Sequence, residues 1–195
     1  MKYNIEKIKE IGKLLAETVE EALAGEKRED VRIADIEMEV RESLREVGQS
    51  AVKYYLEKAD REVETEIECK CGSKLKYQRR RAATIWTVFG KMSYERAYYA
   101  GCACGKGYAI IDERYGIEPG KVTAGLAHLL ALSGIDKSFE EGQAWLKAFL
   151  LFEVSENTIR SETQVLGELQ RKMEEEWIKE MQTDRKSTRL NSSHK

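Results

Sequence analysis

The residues best suited to chemistry are four cysteines, paired as Cys69 and Cys71 in Cys-Lys-Cys-Gly and Cys102 and Cys104 in Cys-Ala-Cys-Gly. Two such clips, separated by 30 residues, supply four thiolates for one tetrahedral Zn²⁺ site. The glycine after each clip frees backbone amides to turn toward the sulfurs. The bite is tighter than the usual Cys-x2-4-Cys, because each pair encloses a single residue. Free thiols and two disulfides are the alternatives. No signal peptide or apolar span of membrane length precedes the cysteines, so a cytoplasmic, reducing location without a membrane partner is expected, which disfavours disulfides. The expected cofactor is a structural Zn²⁺.

Between the clips the chain turns basic. From Lys70 to Lys106 there are nine Lys or Arg and one acid, Glu95, in a chain of formal net charge -2. A basic module within an acidic chain points to double-stranded DNA as partner. The residues expected to neutralise phosphates are Lys74, Lys76, Arg79, Arg80 and Arg81 on the strand leaving the first clip. Lys91 at a hairpin tip and Arg96 on the returning strand complete the set. A solubilising surface is the bland reading of the same charges.

The elements that must hold these residues follow from periodicity. Ile5, Ile8, Ile11, Leu15, Val19 and Leu23 form one helical stripe ended by Gly25, and Ile36, Val40, Leu44, Val47, Ala51 and Tyr54 form another. Residues 1–62 therefore read as a helical hairpin, with a dimer or domain contact as a second role. Residues 66–112 change character. The β-branched and aromatic runs on either side of Gly90-Lys91 predict a hairpin, and a last short strand is expected over Tyr108 to Ile111. Antiparallel strands bridged by two clips would make a small zinc ribbon, stabilised largely by its metal.

Residues 119–183 return to helix. Val122, Leu126, Leu129 and Leu130 predict one helix stopped near Gly134. Ser138 and Glu141 form a capping box for a second, with Phe139, Trp145, Leu146 and Phe149 inward. Ser155 caps a third carrying Ile159, Leu166, Leu169, Met173 and Trp177 inward. This is a three-helix, helix-turn-helix-like bundle, so the whole fold class is α+β. Asn157, Arg160, Ser161 and Gln164 project from the first turns of the third helix, where a recognition helix reads base edges, although Glu153, Glu156 and Glu162 flank them. Trp86, Trp145 and Trp177 read as packing residues, and His128 as a packed helix residue.

Residues 184–194, Asp-Arg-Lys-Ser-Thr-Arg-Leu-Asn-Ser-Ser-His, resemble the in-frame translation of a sequencing adapter. Residues 184–195, with His194, are therefore expected to be a non-native, unstructured tail on a chain cut short of its natural end.

Several strings carry a family resemblance: Arg-Arg-Arg-Ala-Ala-Thr-Ile-Trp-Thr-Val-Phe-Gly at 79–90, Tyr-Glu-Arg-Ala-Tyr-Tyr at 94–99, Ile-Asp-Glu-Arg-Tyr-Gly-Ile at 111–117, Ser-Phe-Glu-Glu at 138–141 and Val-Ser-Glu-Asn-Thr-Ile-Arg at 154–160. In this order, with the clips, they resemble the N-terminal half of ISKra-type insertion-sequence transposases of bacteria and archaea, over roughly residues 35–170. Family members often have Cys-x2-Cys clips, which this chain lacks. The resemblance implies DNA transposition at transposon ends. It also implies an RNase H-like core in which three acids hold divalent metal ions, lying beyond this chain. No catalytic residue is assigned here, since Asp112, Glu113 and the run Glu174 to Glu176 form no recognisable set. A stand-alone zinc-ribbon and helix-turn-helix transcription regulator is the alternative, and a homo-oligomeric scaffold is a third.

Overall fold

The longest β-rich run forms the centre of the first half of the molecule. In the computed structural model, which describes residues 5–24 and 31–192, strand β2 (Lys74–Thr87) pairs antiparallel with β3 (Gly90–Ala100). Their register begins at Thr87↔Gly90, so Val88 and Phe89 make the connection. Gly90 adopts φ 101°, which a side chain would resist. Thr87 Oγ1 accepts from Phe89 N at 3.1 Å and closes the turn. Short β1 (Glu66–Glu68) flanks the other end of β2, giving the order β1-β2-β3. The expected hairpin across Gly90 is present.

A bulge between Tyr77 and Arg79 inserts one residue into β2 and reverses its inward face. On the turn side of the bulge, Ala83, Ile85, Met92 and Tyr94 bury with Leu56 of helix α2 (Ile33–Ala59) and Ile111 of α3 (Ile110–Arg114). On the far side, Leu75, Ala97, Tyr99 and Cys102 form a second buried cluster. Each such large apolar side chain contributes about 1.5–3 kcal/mol by leaving water.

Helix α1 (Ile5–Ala22) packs against α2. The side chains of Ile5, Ile8 and Ile11, and the expected stop at Gly25, lie outside the described residues. The side of α2 that meets the sheet differs from the predicted stripe: Val52, Leu56 and Ala59 pack on the core, whereas Leu44, Val47 and Tyr54 are exposed. The cause is close approach at Gly48, where a Cβ would overlap the Phe89 ring. Gln49 Nε2 then donates to Phe89 O at 2.6 Å. A glycine and an amide, rather than the apolar stripe, choose the docking face.

The strand expected over Tyr108 to Ile111 is not formed. Tyr108 alone pairs with Tyr99, and the chain then turns into α3. This buries Ile111 and brings Asp112 to Tyr94 and Arg96. The chain returns beside β2, where Trp86 N donates to Lys121 O and Thr123 N to Trp86 O.

Residues 1–123 and 124–195 are separate units. In the second, α4 (Ala124–Asp136), α5 (Phe139–Leu150) and α6 (Glu156–Ser192) bury Leu126, Leu130, Leu146, Val154 and Ile159. The capping box is present: Ser138 Oγ accepts from Glu141 N, and Glu141 accepts from Ser138 N. Ser155 Oγ accepts from Thr158 N at 3.2 Å, as an N-cap should. Gly134 does not stop α4. It sits inside the helix, where a Cβ would overlap Thr163 Oγ1 of α6, so it serves helix packing.

The inward residues also need correction. Leu146 is buried and Phe139 half-buried, but Trp145 and Phe149 are exposed and stack on each other at 5.5 Å. Ile159 is buried and Leu166 half-buried, whereas Leu169, Met173 and Trp177 are exposed. The 37 residues of α6 outrun the 13 of α4 and the 12 of α5, so its stripe continues past its partners. Residues 184–192, expected to be unstructured, continue α6, because extending a formed helix needs no new nucleus. His194 lies outside the described residues. His128 is exposed on α4 and does not join the core. Six helices and one three-stranded sheet make a mixed α and β fold among the described residues, and no described helix is long and apolar enough to cross a membrane.

Candidate metal centre and basic surface

The two clips meet. Cys69, Cys71, Cys102 and Cys104 bring their sulfurs within 4.8 Å of one another. Individual separations are 3.7 Å for Cys69–Cys104, 3.3 Å for Cys69–Cys102, 3.0 Å for Cys71–Cys102 and 2.9 Å for Cys102–Cys104. A metal with four sulfurs at about 2.3 Å sets them about 3.8 Å apart; these four separations are somewhat shorter, within the 4.8 Å that spans the cluster. Each clip is a tight turn: Gly72 N donates to Cys69 O at 2.8 Å and Gly105 N to Cys102 O at 3.0 Å. Gly72 and Gly105 take φ of 81° and 69°, so the glycines after the clips have the role their position implied. Four cysteines in this arrangement can hold a metal ion.

Without metal, the thiols share protons unequally. Hydrogen bonding from Cys102, then from the Ser73 backbone, draws the Cys71 thiol down to about 6. Cys102, hydrogen-bonded to Cys104 and Cys71, is pushed up to about 12, chiefly by those bonds. Cys104 is lowered, chiefly by the hydrogen bond from Cys102. Cys102 is also the buried member, packed with Leu75, Ala97 and Tyr99, and it ties the site to the sheet.

The seven cations expected on DNA separate into two groups. Arg96 is buried, with its Nε 2.6 Å from Asp112 Oδ2 and its Nη1 3.2 Å from Arg81 O. Arg80 Nη1 donates to buried Asp60 at 3.2 Å and Nη2 to Asp60 O at 2.5 Å. A carboxylate holds each guanidinium, buried Asp60 for Arg80 and half-buried Asp112 for Arg96; burial takes Arg96 off the expected phosphate surface, whereas Arg80 stays exposed. Lys74 and Lys76 pair with Glu66 at 3.1 and 3.9 Å. Arg79, Arg81 and Lys91 keep exposed charges without a carboxylate partner among the described residues. The Arg81 guanidinium lies 4.4 Å over the Tyr98 ring, and Lys91 5.8 Å over Trp86.

On α6, Asn157, Arg160, Ser161 and Gln164 are all exposed in the first turns, with Ile159 buried on the opposite side. Arg160 lies 5.0 Å over the Phe139 ring. Asp112 serves Tyr94 and Arg96, and Glu113 pairs with Lys70. The run Glu174 to Glu176 is exposed on α6.

The acids that bind arginines were missed in sequence. Asp60 sits at the end of α2 and Asp112 in a strand-like string, and neither carries a local signal for its distant partner. Tyr94 donates to Asp112 at 2.6 Å. Burial, then this bond, raises its ionisation above tyrosine's usual range.

The geometry defines a mixed α and β protein whose four-thiol cluster sits beside a hairpin that carries exposed basic residues. Residues 26–190 match the Uncharacterised protein family (UPF0236), and the chain belongs to that family. No curated protein matches the chain.

Proposed function

We propose that this chain is the DNA-binding part of an insertion-sequence transposase, in which a zinc ribbon and a helix-turn-helix-like bundle engage double-stranded transposon ends. The observation that carries this reading is the exposed set Arg79, Arg81 and Lys91 on the hairpin anchored by the four-cysteine cluster. Unpaired cations on a rigid strand pair suit a phosphate backbone, because few degrees of freedom are lost on contact. An all-thiolate set suits Zn²⁺, which accepts four sulfurs without a redox change. The first turns of α6 then offer Asn157, Arg160 and Gln164 to base edges.

The test is a salt titration of binding to duplex DNA. Log affinity should fall linearly with log salt, and the Arg79→Ala/Arg81→Ala variant should flatten the slope by about two. A slope unchanged in that variant would make these arginines a solubilising surface.

A further inference from the structure

We infer that Tyr98 is a positioning residue for Arg81, holding its guanidinium ready for a DNA phosphodiester and linking that contact to the second cysteine clip. The inference rests on the DNA-binding reading above and names one contact and its support.

Three observations carry it. Tyr98 pairs across the strands with Arg79, one diagonal step from Arg81, so all three share a face of the hairpin. The Arg81 guanidinium lies 4.4 Å over the Tyr98 ring. The hydroxyl end of that ring rests on Gly107, where a Cβ would overlap it. Gly107 lies in the segment leaving Cys104, and Tyr108 anchors that segment to β3 by two bonds: Tyr99 N to Tyr108 O at 2.8 Å and Tyr108 N to Tyr99 O at 2.9 Å. The ring is therefore fixed at one end by its strand and at the other by the backbone that follows the clip.

The backbone of Arg81 is fixed as well, since Arg96 Nη1 donates to its carbonyl. A guanidinium held over a ring face by cation–π attraction uses none of its N–H donors in that contact. Those donors match the oxygens of a phosphodiester, and the contact restricts the side chain before DNA arrives. Arg80 is the contrast, because Asp60 already engages both of its terminal nitrogens.

A double-mutant cycle tests this, with duplex DNA of mixed sequence as the probe. Tyr98→Leu and Tyr98→Met, the second retaining bulk without a ring, should each weaken binding roughly two- to thirty-fold when Arg81 is present. In the Arg81→Ala background the same changes should have no effect, and Tyr98→Phe, which keeps the ring and loses only the hydroxyl end, should lose less than either. Metal content and melting temperature are measured for every variant. Equal losses in both Arg81 backgrounds, or no loss with Arg81 present, would overturn the positioning role while leaving DNA binding intact. Absence of salt-dependent binding by the wild-type chain would instead overturn the DNA-binding reading, and this inference with it.

Discussion

Asp60, the C-cap of α2, accepts from the backbone N of Ala97 at 2.5 Å and from Arg80 Nη1 at 3.2 Å. Ala97 faces Arg80 across the ladder, and its amide, given to Asp60, points away from β2, toward the outer edge of β3. Glu57 accepts from Glu95 N at 3.1 Å one step along. Two carboxylates, at the end of α2 and on its C-cap, thus satisfy two amides on the free edge of a strand, which otherwise invites pairing with another chain.

Removing that acceptor should be costly. Asp60→Ala leaves a buried amide unpaired and Arg80 uncompensated, and about 2–4 kcal/mol of stability should be lost. Urea denaturation measures it, and light scattering should report association through the bared β3 edge. Arg80→Ala alone should cost less, because Asp60 keeps its bond to Ala97.

Arg96 and Asp112 form a nearly buried pair, with side chains 10% and 15% exposed. Arg96→Ala should lower stability by about 3–5 kcal/mol, since the remaining carboxylate keeps no charged partner. Arg79→Ala, on an exposed position of the same hairpin, should stay within about 0.5 kcal/mol. Similar losses for both would show that the pair at Asp112 has no special structural weight.

Tyr94 gives a pH signature. Its ionisation is raised in the fold by burial and by the bond to Asp112, with Asp60 adding to the shift and Arg96 opposing it. A group with a raised folded pKa contributes stability that is complete below its unfolded value, near 10 for tyrosine, and is lost as pH rises past it. The wild-type chain should therefore lose stability above about pH 10 more steeply than Tyr94→Phe does. Parallel alkaline unfolding curves for the two would remove Tyr94 from the account.

The sequence disclosed the strands and clips more completely than the packing. The hairpin, the meeting of the four cysteines and the caps at Ser138 and Ser155 were legible, because each rests on local turn or capping chemistry. The docking face of α2 was not, since Gly48 against Phe89 is a contact between distant segments with no periodic trace. The partners of Arg80 and Arg96 were hidden for the same reason. A run of basic residues looks uniform in sequence, and only the fold shows which of them meet Asp60 and Asp112. Helix α6 fails differently: its apolar spacing is regular through Trp177, but the helices available to cover it end earlier.

Gly48 gives a sharp contrast with another helical glycine. Gly48→Ala forces the new methyl into the Phe89 ring and should destabilise by about 1–3 kcal/mol. Gly12→Ala meets nothing within 4 Å and should stabilise by about 0.5–1 kcal/mol, the usual gain for alanine in a helix. Thermal melts of both variants decide whether Gly48 sets the docking of α2.

The last prediction concerns the thiol cluster. Purified chain should contain one metal ion, and the Cys69→Ser/Cys104→Ser variant should lose it. Chelation should lower the melting temperature, because metal binding and folding of a small site are coupled. Lowering the pH should release the metal, since thiolate ligands must give it up to take protons. Cys102→Ser should be more damaging than Cys71→Ser even with chelator present. Cys102 is 7% exposed and packs among Leu75, Ala97 and Tyr99, whereas Cys71 is exposed. In the metal-free protein that difference isolates packing from coordination. Equal melting temperatures for the two variants in chelator would mean that Cys102 serves the metal alone, and full metal loading of Cys69→Ser/Cys104→Ser would exclude the four-thiol site.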